Sequence, residues 1–392
     1  MCLLAMFFPG ISAAGAPPKS FEWSTIRGVN FIPFYARSSE EIWEKYDHHA
    51  MDRDLRFATE LGFNSVRIFL HYEAFRRDPK QFAGSFADFL NLCHRYKITV
   101  LPVLFDSCGL ERDASTTVMT SGEAYKRFLA DPDLPAATKT RLEKTYGEYA
   151  KGRGAGVLVP VGRRTTIDVL LWGWWTPSPS RIHLNREDWP QTDAYLDKIV
   201  GGFQHDAAII AWDVMNEPGT VMDLPGEWTQ AQAESRIAEF LNHACEYLEA
   251  HYSEKPLTVG AENLARTKAT QQHLDLLSLH VYHPFAQSQQ AIEEARAFAS
   301  QVGKPLFITE CLANTNDWLT IFGEESLASD EGQLQHYQKF LPLLMQSHLG
   351  WYSWGFITGH LFGGFVDIID PNGYRRPAAV YLQQTLRAEA GK

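Results

Sequence analysis

Eight short apolar, β-rich runs, separated mostly by segments of helical period, constrain the fold of this chain more than any other feature. They lie at 26–32, 65–70, 99–105, 208–214, 257–260, 276–281, 306–309 and 351–354. Several are almost continuously apolar, which is the pattern of a parallel strand covered on both faces. Between them, Met51, Leu55, Ala58 and Leu61 recur at helical spacing, and Gly62 stands where a C-terminal cap belongs. Ile237, Phe240, Leu241, Ala244 and Leu248 repeat the pattern, as do Leu334, Tyr337, Leu341 and Leu344. Pro377 is placed to start a last helix through Ala378, Tyr381, Leu382 and Leu386. Eight strands with intervening helices predict an α/β fold, a (β/α)8 TIM barrel, and 392 residues leave room for one with insertions. A doubly wound sheet is the competing architecture. It lacks a strand leading into G-x-G-x-x-G, since Gly152, Gly154 and Gly156 sit in a basic, polar stretch.

One interval is too long for a barrel repeat. The third strand ends near Phe105 and the fourth starts near Ala208, whereas a connecting helix needs only about 192–203. The remainder, about 107–191, is expected to be an insertion after strand 3. It carries helical signals at 124–129 and 138–149, a β-like run at 157–161, and the cluster Trp172-Gly173-Trp174-Trp175. Loops that follow barrel strands open on the catalytic face, so this insertion is expected to wall or cover the site.

Composition narrows the partners. Thirty-six Lys and Arg against 47 Asp and Glu give a net charge of −11, which argues against nucleic acid and acidic membrane surfaces. Eleven Trp are more than a core needs and hint at a ring-stacking surface. Cys2, Cys93, Cys108, Cys245 and Cys311 are far apart with no C-x-x-C pair, and they read as small buried hydrophobes. Residues 1–18 carry no charge, hold an apolar core from Leu3 to Phe8 and end in Ala14-Gly15-Ala16. This predicts a signal peptide without its basic n-region, and a secreted or periplasmic protein; the alternative is an N-terminal extension of a cytoplasmic one. The uncharged run at 341–366 is long enough to span a membrane, but Gln346, Ser347, His348, Ser353, Thr358 and His360 would be costly in lipid. The end of a helix followed by a buried strand explains it better. Oligomeric state leaves no mark in the sequence.

Two carboxylates end apolar strands. Glu217 follows strand 4 in Ala211-Trp212-Asp213-Val214-Met215-Asn216-Glu217-Pro218, and Glu310 ends strand 7 in Phe307-Ile308-Thr309-Glu310. Side chains at such ends reach the barrel mouth, and strands 4 and 7 lie on opposing walls. A facing carboxyl pair, one to protonate a leaving oxygen and one to attack an anomeric carbon, is what retaining glycoside hydrolysis requires.

With these residues the chain resembles the retaining β-glycosidases built on βα barrels, most closely glycoside hydrolase family 5, the cellulase and mannanase family. The resemblance runs from about Arg27 to Leu386. It implies Glu217 as acid/base and Glu310 as nucleophile. It also implies site roles for Arg67, Asn216, His280, Tyr282 and Trp354. On this reading Arg67 and Tyr282 keep Glu310 ionised, and burial beside a like charge raises the pKa of Glu217. Asn216 bonds the sugar 2-OH, His280 bonds the acid/base or the sugar, and Trp354 offers a flat face to the ring. Asp106 departs from the family pattern: it stands near where many family 5 cellulases carry a His, and is expected either to cap the next segment or to contact substrate. At least one of Trp172, Trp174 and Trp175 is expected to touch sugar. An insertion that blocks the groove would favour exo-action on short oligosaccharides. No cofactor and no metal is expected: His280 and His283 are the only close His pair near a strand end, and no His-Glu-x-x-His occurs. A carbohydrate-binding barrel without activity is the reading from another class, and it would require a lost carboxylate.

Overall fold

All eight apolar runs enter one eight-stranded sheet whose paired strands are parallel. The computed structural model describes residues 21–109, 116–120, 156–160, 175–313, 330–357 and 366–391, apart from a few isolated positions. In chain order the strands are β1 (Arg27–Asn30), β2 (Ser65–Phe69), β3 (Thr99–Asp106), β4 (Thr116–Thr120), β5 (Gly156–Pro160), β6 (Trp212–Asn216), β7 (Leu257–Gly260), β8 (Leu277–His280), β9 (Leu306–Cys311) and β10 (Gly350–Ser353). β4 and β5 form a separate antiparallel pair within the insertion. The others run β7-β6-β3-β2-β1-β10-β9-β8. The two outer strands meet: His280 N–H donates to Ala261 O at 2.8 Å and Asp275 N–H to Leu257 O at 3.0 Å. The result is a nearly closed (β/α)8 barrel.

The helices form where the spacing predicts. His48–Leu61 starts at Asp47, whose carboxylate accepts from the N–H groups of His49 and Ala50, and it stops at Gly62 in the left-handed region. Gln230–His251 opens with a Thr229–Gln232 capping box. Asp330–Gln346 followed by β10 accounts for the uncharged C-terminal run, and Pro377 begins Pro377–Ala390. Among the described residues no helix is long and apolar enough to cross a membrane.

Packing divides the barrel interior into an apolar floor and a polar mouth. Ile26, Leu101, Ile210, Ala211, Leu276, Phe307 and Tyr352 fill the end from which the strands start. Each large side chain buried there contributes roughly 1.5–3 kcal/mol. Such a plug is a packed core and leaves chemistry to the other end of the strands.

The insertion returns to that other end. Asp106 N–H donates to Ser178 O at 2.6 Å and Ser178 N–H to Asp106 O at 2.8 Å, which fastens the returning chain to the end of β3. Trp189–Leu196 and a π-helical turn at Asp197–Gly201 then carry the chain toward β6, close to the expected helix. Trp172 and Trp174, the helical signals at 124–129 and nearly all of 138–149, and the leader at 1–18 lie outside the described residues.

Candidate active site

Strand register sets the site. Asp106 on β3 pairs with Asn216 on β6, Asn216 with Gly260 on β7, and His280 on β8 with Glu310 on β9. Glu217 follows β6 directly, in the left-handed region at φ 44°. That conformation is costly for a residue with a side chain, doubly so before a proline. It is held there by its own N–H, which donates to Gly260 O at 2.7 Å, and by Thr220 N–H, which donates to Glu217 O at 2.9 Å.

A fully buried guanidinium organises the polar mouth. Arg67 Nε and Nη2 lie 2.9 and 2.8 Å from Asp213 Oδ2. Nη1 donates to Glu310 Oε1 at 2.6 Å and to Asn30 Oδ1 at 2.8 Å, and Nη2 to Asn216 Oδ1 at 2.7 Å. Burial works against the charge on Arg67, but the Asp213 and Glu310 carboxylates outweigh it and hold the group charged. Burial in turn pushes the Asp213 carboxyl up, with Arg67 opposing. Gly260 leaves the space this needs: a Cβ there would lie 2.5 Å from Arg67 Nη2 and 3.0 Å from Asp213 Oδ2.

Glu217, His280 and Glu310 converge above this base. One ligand-type atom from each lies within 4.8 Å of the others, so an oxygen of Glu217 and one of Glu310 are no farther apart than that. His280 Nδ1 is 2.7 Å from Glu217 Oε1 and 3.5 Å from Glu310 Oε2. Tyr282 OH donates to Glu310 Oε2 at 2.6 Å. The second oxygen of Glu217 accepts from Cys108 Sγ at 2.8 Å and Thr220 Oγ1 at 3.1 Å.

The protonation of Glu217 corrects the expectation from sequence. Burial does push its carboxyl up, but the His280 hydrogen bond and charge, aided by Cys108 and Thr220, outweigh burial and hold it below the ordinary glutamate value. For His280 burial acts downward, and Glu310 and Glu217 together raise its pKa. The sequence reading paired Arg67 with Glu310 and let His280 bond the acid/base or the sugar, but it left out the imidazole's charge, which helps to outweigh burial at Glu217. Arg67 pairs with the Glu310 charge, and the imidazole between the carboxylates takes up the proton. The same three groups could offer ligand atoms to a cation. The Arg67 guanidinium already occupies Glu310 Oε1, and a second positive charge on that carboxylate would be opposed.

Asp106 is deeply buried and engaged at both oxygens. Oδ1 accepts from Asn216 Nδ2 at 3.0 Å and Cys108 N–H at 2.9 Å, and Oδ2 from Trp175 Nε1 at 2.6 Å. It orients Asn216, caps the turn after β3 and ties in Trp175. That favours capping over substrate contact. Trp175 packs edge-on against Phe69 and Trp354, with ring centroids 5.1 and 6.2 Å away. Trp354 is half-buried beside it and also meets Phe69 edge-on. Burial pushes the Asp106 carboxyl up to about 7. A folded-state value above the unfolded one means that the protonated form stabilises the fold. That stability is complete below the ordinary value of 3.8 and is lost as pH rises through about 7. Denaturant titrations of wild type and Asp106→Asn should therefore diverge between about pH 4 and 7, with wild type losing on the order of a few kcal/mol relative to the variant. Parallel curves would remove this assignment.

Four contributors escaped the sequence reading: Asn30, Asp213, Cys108 and Thr220. Asp213 had a signal, because an acid inside the apolar Ala211-Trp212-Asp213-Val214-Met215 needs a buried partner. The others carry none.

No protein-family model matches the chain, and no curated protein does. Solved structures do match. An exo-β-1,4-mannosidase from Opitutaceae bacterium strain TAV5 superposes with a TM-score of 0.57 at 16% identity over 93% of this chain. This chain spans 59% of that mannosidase's length. A glycoside hydrolase family 5 mannosidase from Rhizomucor miehei matches at TM-score 0.53 and 12% identity, over 97% of this chain and 99% of that one. This chain has the fold of these hydrolases. A GH5_18 variant from Streptomyces cattleya, in complex with Manβ1-4GlcNAc, matches at 0.56 and 14%, over 92% and 79%.

Proposed function

We propose that this protein is a retaining β-glycoside hydrolase of the family 5 kind acting on β-mannosides, with Glu310 as nucleophile and Glu217 as acid/base. The carrying observation is the carboxyl pair from β6 and β9, with oxygens within 4.8 Å and unlike partners. Retaining enzymes place the two groups about 5–5.5 Å apart, whereas inverting ones need about 6.5–9.5 Å to admit a water. Glu310, held by Arg67 at one oxygen and by Tyr282 at the other, is assigned the attack. Glu217 shares a proton with His280. A sugar that fills the cleft displaces water and makes the Glu217–His280 ion pair costlier than its neutral form, which moves the proton onto Glu217.

Glycosylation then forms the bond from Glu310 oxygen to the anomeric carbon, breaks the bond to the leaving oxygen, and passes the Glu217 proton to that oxygen. In the second step Glu217 takes a proton from water, whose oxygen replaces Glu310 at the same carbon. Asn216 lies beside the pair for the 2-OH contact. The half-buried Trp354 supplies an apolar ring near the site. β-Mannosides are favoured because the matched structures include mannosidases and a Manβ1-4GlcNAc complex.

The test is hydrolysis of aryl β-mannoside, aryl β-glucoside and β-1,4-manno-oligosaccharides, with product sizing and proton NMR of the first-formed anomer. Release from the β-mannoside with the β-anomer formed first is expected, and single-sugar products would identify exo-action. Absence of release from every β-glycoside by folded protein would reject the proposal.

A further inference from the structure

Cys108 stands outside the residues to which the family resemblance assigns site roles, yet it touches the proposed acid/base directly. Its Sγ donates to Glu217 Oε2 at 2.8 Å, while His280 takes the other oxygen. Thiols are weak donors, but one aimed at a carboxylate gains from the charge.

The backbone that presents this thiol is fastened on every side. Ser107 N–H donates to Asn216 O at 3.0 Å, Ser107 Oγ to Thr220 O at 3.0 Å, and Cys108 N–H to Asp106 Oδ1 at 2.9 Å. The buried Arg181 donates through Nη2 to Ser107 O at 2.8 Å. Gly109 follows in the left-handed region, where a Cβ would lie 2.5 Å from Trp175 O. So many bonds on a three-residue turn fix where the sulfur sits.

Resting on the hydrolase reading, we infer that Cys108 is a positioning residue for the acid/base: its thiol and the Thr220 hydroxyl clamp Glu217 Oε2 so that the carboxyl is held between β3 and β8. The clamp also acts on protonation. A donor to the ionised form favours that form, so Cys108 works with His280 against the upward push of burial on Glu217. The thiol itself stays protonated, since burial and the charges of Glu217, Asp106 and Glu310 all push its pKa up. It is thus a fixed donor. Among the described residues the titratable groups facing this pair are His280 and Tyr282 from the β8 side, Asp106 from β3 and Glu310 from β9, with Arg67 behind Glu310.

The experiment is the pH dependence of kcat/KM on an aryl β-mannoside for wild type, Cys108→Ala and Cys108→Ser. The alkaline limb reports the acid/base, which must be protonated to act. Cys108→Ala should move that limb up by roughly half to one pH unit. Cys108→Ser, which keeps a donor, should hold it at or below the wild-type position. A limb that stays in place in both variants, or rises equally in both, would overturn the inference, because a thiol that only fills space predicts one of those results.

A second readout does not depend on turnover. The S–H stretching band of Cys108 is isolated by subtracting the infrared spectrum of Cys108→Ser from that of wild type. It should lie low while Glu217 is ionised and rise as that carboxyl is protonated on acidification. A band insensitive to pH overturns the clamp. If wild type hydrolyses no β-glycoside but the band follows pH, the hydrolase reading fails and the clamp stands.

Discussion

Glu310→Ala should lower kcat/KM on an aryl β-mannoside by roughly 10⁴-fold or more, because it removes the group assigned to form the covalent intermediate. The fold should persist, since Arg67 keeps Asp213, Asn30 and Asn216 as partners after the change. Added azide should restore part of the activity and give the α-glycosyl azide, as a small anion attacks once from the vacated side. Glu217→Ala should behave differently. Its loss should be on the order of 10²–10⁴-fold, smallest for a substrate whose leaving group needs no proton. Azide should then give the β-glycosyl azide, by attack on the glycosyl-enzyme from the face opposite Glu310. The two product anomers separate the roles of two residues that are chemically identical. Exchanged anomers would exchange the assignments.

Removing Arg67 should have the largest effect on stability. Arg67→Met leaves Asp213 and Glu310 buried without their counter-charge. Breaking a buried pair in this way costs roughly 3–5 kcal/mol, visible as a lower denaturant midpoint and a melting point several degrees down. Arg67→Lys should recover little, because one ammonium cannot reach Asp213, Glu310, Asn30 and Asn216 together. Arg67→Met with Asp213→Asn should recover part of the loss, since the second change removes one of the stranded charges. The double-mutant cycle in urea checks this. A single variant as stable as wild type would mean that Arg67 does not neutralise the pair.

What was legible in the sequence follows from what strand and helix periods encode. All eight barrel strands were marked by apolar runs, because a strand covered on both faces can hold little else. Gly62 and Pro377 punctuated helices through backbone geometry that only those residues supply readily. Glu217 and Glu310 stood out because an acid closing such a strand needs a reason to be there. The state of Glu217 was not legible. It depends on the balance between burial, which raises its pKa, and the His280 imidazole from β8 with Cys108 and Thr220, which lower it, and that balance is set by distances the sequence does not encode. Asp106 was ambiguous for the same reason: only the returning insertion, with Trp175 Nε1 at 2.6 Å from its carboxylate, shows that its oxygens are already used. Cys108 looked like one more buried thiol until the turn after β3 put its sulfur beside Glu217.

The most direct measurement is trapping of the glycosyl-enzyme. Folded protein is incubated with 2-deoxy-2-fluoro-β-mannosyl fluoride, whose fluorine at C2 slows both steps while the fluoride leaving group at C1 keeps the first fast enough for the intermediate to accumulate. The protein is then digested and mapped by mass spectrometry. One equivalent of sugar on the peptide that contains Glu310, lost on Glu310→Gln, is the predicted result. A label on Glu217 or elsewhere, or hydrolysis of the unmodified β-mannoside with no covalent adduct and the inverted anomer as first product, would contradict double displacement through Glu310.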